Sequence, residues 1–222
     1  GVVILVIAVM TFGFLTKDKF GEKKAPLGLD KYFPSRDYFE DVAHMPSCGD
    51  KKELFSKPHL TLSDFTSITP LGNVAPAAHT LPTPHLYFNM SSSGSSIPEV
   101  DLIAPSDLRI TTVKWLEAKN KPEWNDGALV FGICKEFKAY FDHVKSFSEK
   151  IKKAYEDNTF KACNEYSLDY PLGKIDYRLC VAKVDIDIKA GEKIGTAGGG
   201  EGQRAYDVGA FDTRNTPQKF AN

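Results

Sequence analysis

The chain lacks a charge surplus. Its 222 residues carry 28 lysines and arginines against 29 aspartates and glutamates, a formal net charge of −1. No global field therefore draws it to nucleic acid or to an anionic membrane surface. It also lacks a C-x-x-C pair among its four cysteines, Cys48, Cys134, Cys163 and Cys180, which argues against a zinc knuckle or a thioredoxin-like redox site. With no G-x-S-x-G elbow and no papain-like cysteine context, a nucleophilic hydrolase has no support. The glycine-rich GTAGGGEG stretch at residues 195–202 opens no helix after a strand, so it is not a dinucleotide fingerprint. No repeat of fixed period runs through the chain.

What is present is enough for a core. Hydrophobic residues make up 42% and aromatic residues 12% of the chain, a composition that excludes a disordered protein and fits one sizeable domain plus extras. The opening GVVILVIAVMTFGFL is apolar without a polar face and is followed by the basic TKDKFGEKK. A surface helix would show such a face. A truncated membrane anchor, a secretory apolar region and a pilin-like assembly helix all fit. The expectation is an anchor, with the rest of the chain outside the inner membrane, in the periplasm or at the cell surface, or secreted. The even number of cysteines fits two bridges in an exported domain, with three connectivities open.

The chain divides into an N-terminal hydrophobic segment at 1–20, a charged, Pro- and Gly-containing linker and outer layer at 21–64, and a β-rich domain at 65–222. In the linker, SRDYFEDVAHM allows one short helix capped by Ser35. Beyond it LYFNM, VDLIAP, LRITTVKWLEA, GALVFGICKEF and DYRLCVAKVDIDIKAGEKIG read as strands rich in branched and aromatic residues. In the last, Cys180, Ala182, Val184, Ile186 and Ile188 alternate with Val181, Lys183, Asp185 and Asp187, the period of a strand with one buried face. Val144, Phe147, Ile151 and Ala154 fall at helical spacing in DHVKSFSEKIKKAYED, predicting one amphipathic helix on the sheet. SSSGSS at 91–96 and the 195–202 stretch read as turns. The fold class expected is mainly β (α+β): an antiparallel sheet with one amphipathic helix and an N-terminal hydrophobic helix.

The residues with the most chemistry stand in NVAPAAHTLPTPHLYF, residues 73–88. His79 and His85 lie on a Pro-flanked loop, and Pro82 and Pro84 exclude a helix there. The pair therefore cannot act as the H-E-x-x-H of a helical metal site. Taken alone, the two histidines fit structural hydrogen bonding better than ligation.

The order of segments around them resembles the lysostaphin-type (LytM-like) zinc metallopeptidases, endopeptidases that cleave cell-wall peptide cross-bridges. In that family a metal-binding His after a turn is followed by an apolar V-x-A-P-x-D-G-x-V hairpin, a Y-x-H-L-S segment, an x-x-G-x-x-I-G-x-x-G turn and an H-L-H-F strand. APAAHTLPTPHLYF, VDLIAPSDLRITTV, YFDHVKSFSEKI, IKAGEKIGTAGGG and AYDVGAFD occur here in that order, across about residues 65–215. The resemblance implies the family's duplicated-hairpin fold, His79 as its first zinc-binding His, and His143 as the His that helps stabilise the transition state. The departures are specific. Thr83 stands where H-x-x-x-D has its Asp, and in place of the final H-x-H the chain has Ala205 at the catalytic His and Asp207 at the ligand.

A repaired metal site of His79, His85 and Asp207 would be a two-His, one-carboxylate set acceptable to zinc or iron. The favoured reading keeps the groove without the catalysis: a membrane-anchored, extracytoplasmic binding or scaffolding protein. Its partner would be a cell-wall peptide or glycan, or a protein of the envelope. An active metal-dependent hydrolase and a pilin-like or membrane-complex subunit are the alternatives. Among other residues, Asp185 and Asp187 read as a solvated face, and Trp115 and Trp124 as aromatics buried at the domain edge or stacked on a sugar. Asn89-Met90-Ser91 matches the N-glycosylation sequon.

Overall fold

The computed structural model describes residues 39–74, 83–91, 96–171, 173–200 and 204–214. The apolar run at 1–15, Ser35 and His79 lie outside the described residues, and so does the N-terminal hydrophobic helix.

Eight strands form one antiparallel sheet: β1 (Phe65–Thr69), β2 (His85–Met90), β4 (Leu108–Ala118), β5 (Asp126–Cys134), β6 (Phe137–Val144), β8 (Lys161–Tyr170), β9 (Gly173–Ile188) and β11 (Ala205–Asp212). Their order across the sheet is β1-β2-β11-β6-β5-β4-β9-β8. A smaller sheet orders β3 (Glu99–Ile103), β10 (Lys193–Gly198) and β7 (Ser146–Phe147) as β3-β10-β7. Every pairing is antiparallel. The mainly β fold with one helix is thus present among the described residues.

The two faces of the large sheet differ because side chains alternate along each strand. One face carries Ile110, Val113, Leu129, Phe131, Phe141, Ile186, Ile188 and Tyr206, and meets Leu102, Ile194 and Ala197 of the small sheet in one core. Residues 54–60 close its side: the half-buried Phe55 lies 6.4 Å from Phe131, and His59 stacks at 5.5 Å on Phe141. The opposite face is polar near its middle. Its far part is covered by a strap at residues 39–48, where Val42 is fully buried over Gly132. Asp41 in this strap accepts from Lys138 Nζ at 2.9 Å and from Thr111 Oγ1 at 2.7 Å. Cys48–Cys134 fixes the strap to the end of β5, and Cys163–Cys180 joins residues directly opposite each other on β8 and β9. Two disulfides fit a chain that folds in an oxidising, extracytoplasmic compartment.

Four sequence expectations change. The helix α1 spans Glu149–Glu156 and is shorter than expected, because Val144 closes β6 and Phe147 lies in β7. The helical spacing of Val144, Phe147, Ile151 and Ala154 arises from strand residues and helix residues that share one core. Phe39–Met45, the described part of the linker helix, forms consecutive turns with i to i+3 bonds. Of the glycine-rich stretch, Gly195–Gly198 belongs to β10. In β9 the alternation holds at Ile186 and Ile188, whereas Cys180, Val181 and Ala182 are all buried, in the stretch paired with β4 on one edge and β8 on the other. Asp185 and Asp187 are exposed and pair with Arg109 at 3.2 and 2.9 Å.

Among the described residues no helix is long and apolar enough to cross a membrane, which says nothing of strands.

Candidate functional site

Two adjacent rows of side chains cross the polar face of the large sheet. Tyr87, Asp207, Asp142, Ala128 and Lys114 are paired in register across β2, β11, β6, β5 and β4. The next row runs His85, Gly209, Tyr140, Val130 and Thr112. Facing positions one pair apart bring their side chains within reach of each other. Gly209 is the gap in the second row: a β-carbon there would fall inside the Tyr140 ring, so only glycine lets that ring lie across β11 towards His85.

His143 reaches this face by an irregularity. Gly127 pairs with Val144 and Ala128 with Asp142, leaving His143 as one extra residue in β6. Its φ is 63°, the positive-φ conformation that non-glycine residues seldom adopt. Such bulges re-aim a side chain, and strain of this kind persists where surrounding structure holds it. The neighbours do hold it: His143 Nδ1 lies 2.8 Å from Asp126 Oδ2, while a β-carbon at Gly127 would sit 2.9 Å from the Val144 carbonyl.

The three residues His85, Asp207 and His143 therefore meet. Asp207 Oδ2 lies 3.4 Å from His85 Nε2 and 3.6 Å from His143 Nε2. Both distances exceed a good hydrogen bond, and of the two imidazoles it is the charge of His143 that acts on Asp207. His85 is further held by tyrosines: Nε2 lies 2.8 Å from the Tyr87 hydroxyl and Nδ1 3.1 Å from the Tyr140 hydroxyl. Lys114 Nζ donates to Asp142 at 3.0 and 3.3 Å.

These contacts set the charge states. Burial pushes the Asp207 carboxyl up to about 7, and the carboxylates of Asp142 and Asp126 act in the same sense, against His143 and Lys114. Asp207 is 4% exposed, and its Oδ1 has no hydrogen-bond partner. Burial alone would lower His143, but the hydrogen bond that its Nδ1 donates to Asp126 and the charges of Asp126, Asp142 and Asp207 raise it to about 9. At neutral pH the site thus holds a fixed imidazolium beside a carboxyl that is half ionised. Burial and the Asp207 charge raise the Tyr87 hydroxyl, and burial and Asp142 raise that of Tyr140.

Of the residues singled out from the sequence, His85, His143 and Asp207 share this site, and His79 lies outside the described residues. Thr83 is buried and donates to the His85 carbonyl at 3.2 Å. Asp126, Asp142, Lys114, Tyr87 and Tyr140 were missed. Strand periodicity places Tyr87 with His85 on one face, a signal present in HLYF; nothing local announced Asp126, which reaches His143 only through the bulge.

As held, the three residues do not form a closed metal cage. Both nitrogens of His85 are occupied by tyrosine hydroxyls, and the described set offers no third imidazole beyond His143. The atoms of Cys48, Cys134 and Glu136 do cluster within 4.8 Å. There, however, the two sulfurs are bonded to each other, and the carboxylate accepts from Ser47 Oγ and Cys48 N. Metal binding needs free thiolates, so this cluster is a clasp for the strap. No family model matches the chain, and no curated protein matches it.

Proposed function

We propose that the chain is an extracytoplasmic binding or scaffolding protein, anchored through its N-terminal apolar segment, whose polar sheet face is a lysostaphin-type groove that retains a peptide of the cell envelope without cutting it. The observation that carries this reading is the occupation of His85: its two ring nitrogens serve Tyr87 and Tyr140, where a metal ligand needs a free lone pair. Ala205, at the position of a catalytic His in the resembling family, supplies no proton carrier. The groove offers paired opposite charges, Lys114 with Asp142 and His143 with Asp126, suited to a peptide with both amide and charged groups. Fold analogy by itself would not assign this role.

A hydrolase remains the second reading because of one feature. His85 Nε2 and His143 Nε2 flank a single oxygen of Asp207 at 3.4 and 3.6 Å, close to the separation of about 3.3 Å between two ligands on one tetrahedral zinc. Zinc there would supply Lewis-acid polarisation of a bound water or carbonyl. His85 would first have to give up Tyr87.

Purified full chain tests the choice. Metal analysis is expected to return no stoichiometric zinc, and sedimentation with purified cell-wall sacculi is expected to pull down the protein without releasing free amines. Lys114→Ala should weaken that sedimentation. Stoichiometric zinc lost in His85→Ala, with amines released by the wild type, would establish the hydrolase; failure to sediment with sacculi would refute the binding reading.

A further inference from the structure

The face of the large sheet opposite the site of His85, Asp207 and His143 carries a concavity, between α1 and the strands β4, β9 and β8. Two adjoining cavities of about 500 and 430 Å³ share Trp115 and Tyr155 as common walls. Each falls in the size range of small-molecule sites. Trp115 is directly opposite Cys180, and Cys180 is directly opposite its disulfide partner Cys163. The indole therefore lies beside a covalently fixed floor, and Phe147 packs edge-on against it at 5.4 Å. Half-buried, it keeps part of its surface in the cavity.

The polar groups around this indole define the ligand. Glu117 and Arg178 are a directly opposed cross-strand pair, one step from Trp115. Both line the same cavity as Tyr155. Arg178 reaches Glu165 only at 3.9 Å, leaving its guanidinium without a close partner there. The cavities are lined by as many acids as bases: Glu117, Glu149 and Glu156 against Lys152, Lys161 and Arg178. Such balance gives no preference for an anion or a cation. An apolar ligand would desolvate Glu117 and Arg178 without return. A neutral molecule with hydroxyls around an apolar ring face satisfies both demands, stacking on the indole while the carboxylate accepts and the guanidinium donates.

We propose that this concavity binds a saccharide, one pyranose stacked on Trp115 and bonded to Glu117 and Arg178, with the chain continuing past Tyr155 into the adjoining cavity. The site is independent of the groove, because Trp115 and Lys114 project from opposite faces of β4. A peptide-binding groove on one face and a sugar cleft on the other would let the domain engage both polymers of a cell wall at once.

The test uses the full chain and neutral tetrasaccharides of N-acetylglucosamine, glucose and xylose as probes, read by tryptophan emission and by saturation-transfer NMR. The expected result is saturable binding of at least one of the three, with a change in Trp115 emission that survives Trp124→Phe and disappears in Trp115→Phe. Glu117→Gln and Arg178→Ala should each weaken that binding by about tenfold or more, the factor for losing a hydrogen bond to a charged group, with melting temperature unchanged. Lys114→Ala should leave it unaltered. No saturable binding of any of the three, or binding insensitive to Glu117, Arg178 and Trp115, would overturn the proposal. A short neutral peptide that saturates the cleft where the sugars do not would overturn it as well.

Discussion

Asp207→Asn should make the protein more stable, and increasingly so as the pH rises. Asp207 is 4% exposed, and burial first, then Asp142 and Asp126, lifts its carboxyl from 3.8 to about 7. The sign follows from proton binding. Between pH 3.8 and 7 the folded state keeps a proton that the unfolded chain releases, so stability falls as pH rises through this window and levels off above it. A shift of roughly 3 units corresponds to about 4 kcal/mol of lost stability above pH 7, at 1.36 kcal/mol per unit. Asn resembles the protonated acid and removes the slope. Part of the gain is offset because His143 loses one of its three neighbouring carboxylates, the last in weight behind Asp126 and Asp142. The net gain at pH 8 is then about 1 to 3 kcal/mol, and it should exceed the gain at pH 5 by up to about 2.7 kcal/mol, two units of the window. Urea unfolding of both proteins across pH 5 to 8 measures this directly. A variant that is destabilised at every pH, or whose advantage does not grow with pH, would refute the charge assignment at the centre of the site.

Other perturbations probe the scaffold. Burial lowers His59 to about 4 from an ordinary 6.5, so stability present above pH 6.5 is lost as pH falls towards 4; His59→Phe should flatten that acid limb by about 3 kcal/mol in thermal melts. Asp41→Ala removes the carboxylate that accepts from Lys138 Nζ at 2.9 Å, where the Lys138 side chain is 2% exposed, and breaking this buried pair should cost about 3 to 5 kcal/mol, whereas Asp185→Ala on the exposed face should cost little. Loss of Cys48–Cys134, which closes 86 residues, should cost about 4 to 5 kcal/mol, and loss of Cys163–Cys180, which closes 17, about 3, both by the chain-entropy estimate and measured in non-reducing urea melts. Gly209→Ala should drive the Tyr140 ring off β11 and cost about 1 to 3 kcal/mol, with a shifted His85 imidazole resonance as its local signature.

The strands that were legible were those whose composition matched their burial. LRITTVKWLEA coincides with β4, residue for residue, because its branched and aromatic residues sit in a strand paired on both edges. β8 was not legible: KACNEYSLDY is an edge strand with mostly exposed side chains, so its place comes from pairing with β9 and from the disulfide. The helix was overextended for the opposite reason. Val144 and Phe147 are apolar because they reach the same core as Ile151, and residues from different elements that share a core can mimic one helical stripe.

At the site, position was more legible than chemistry. Strand alternation explains why His85 and Tyr87, or Asp142 and Tyr140, share a face. It would also send His143 to the wrong face, since an adjacent residue to Asp142 must alternate; only the extra residue in β6 turns both side chains the same way. A bulge of this kind depends on Gly127 tolerating the approach of Val144 and Phe147, a non-local condition that no window around His143 contains. The same bulge sets the charge. By bringing His143 between Asp126 and Asp207 it makes the imidazole a standing cation, and that cation in turn keeps the buried Asp207 from rising further. Straightening β6 by deleting His143 would therefore remove more than a histidine: Asp207 would lose the charge that does most to lower its pKa and hold its proton to higher pH, a displacement that carbon-detected NMR of the carboxyl can read by titrating the deletion beside the wild type. An Asp207 midpoint unchanged by that deletion would mean that burial alone sets it and that the bulge has no electrostatic part in the site.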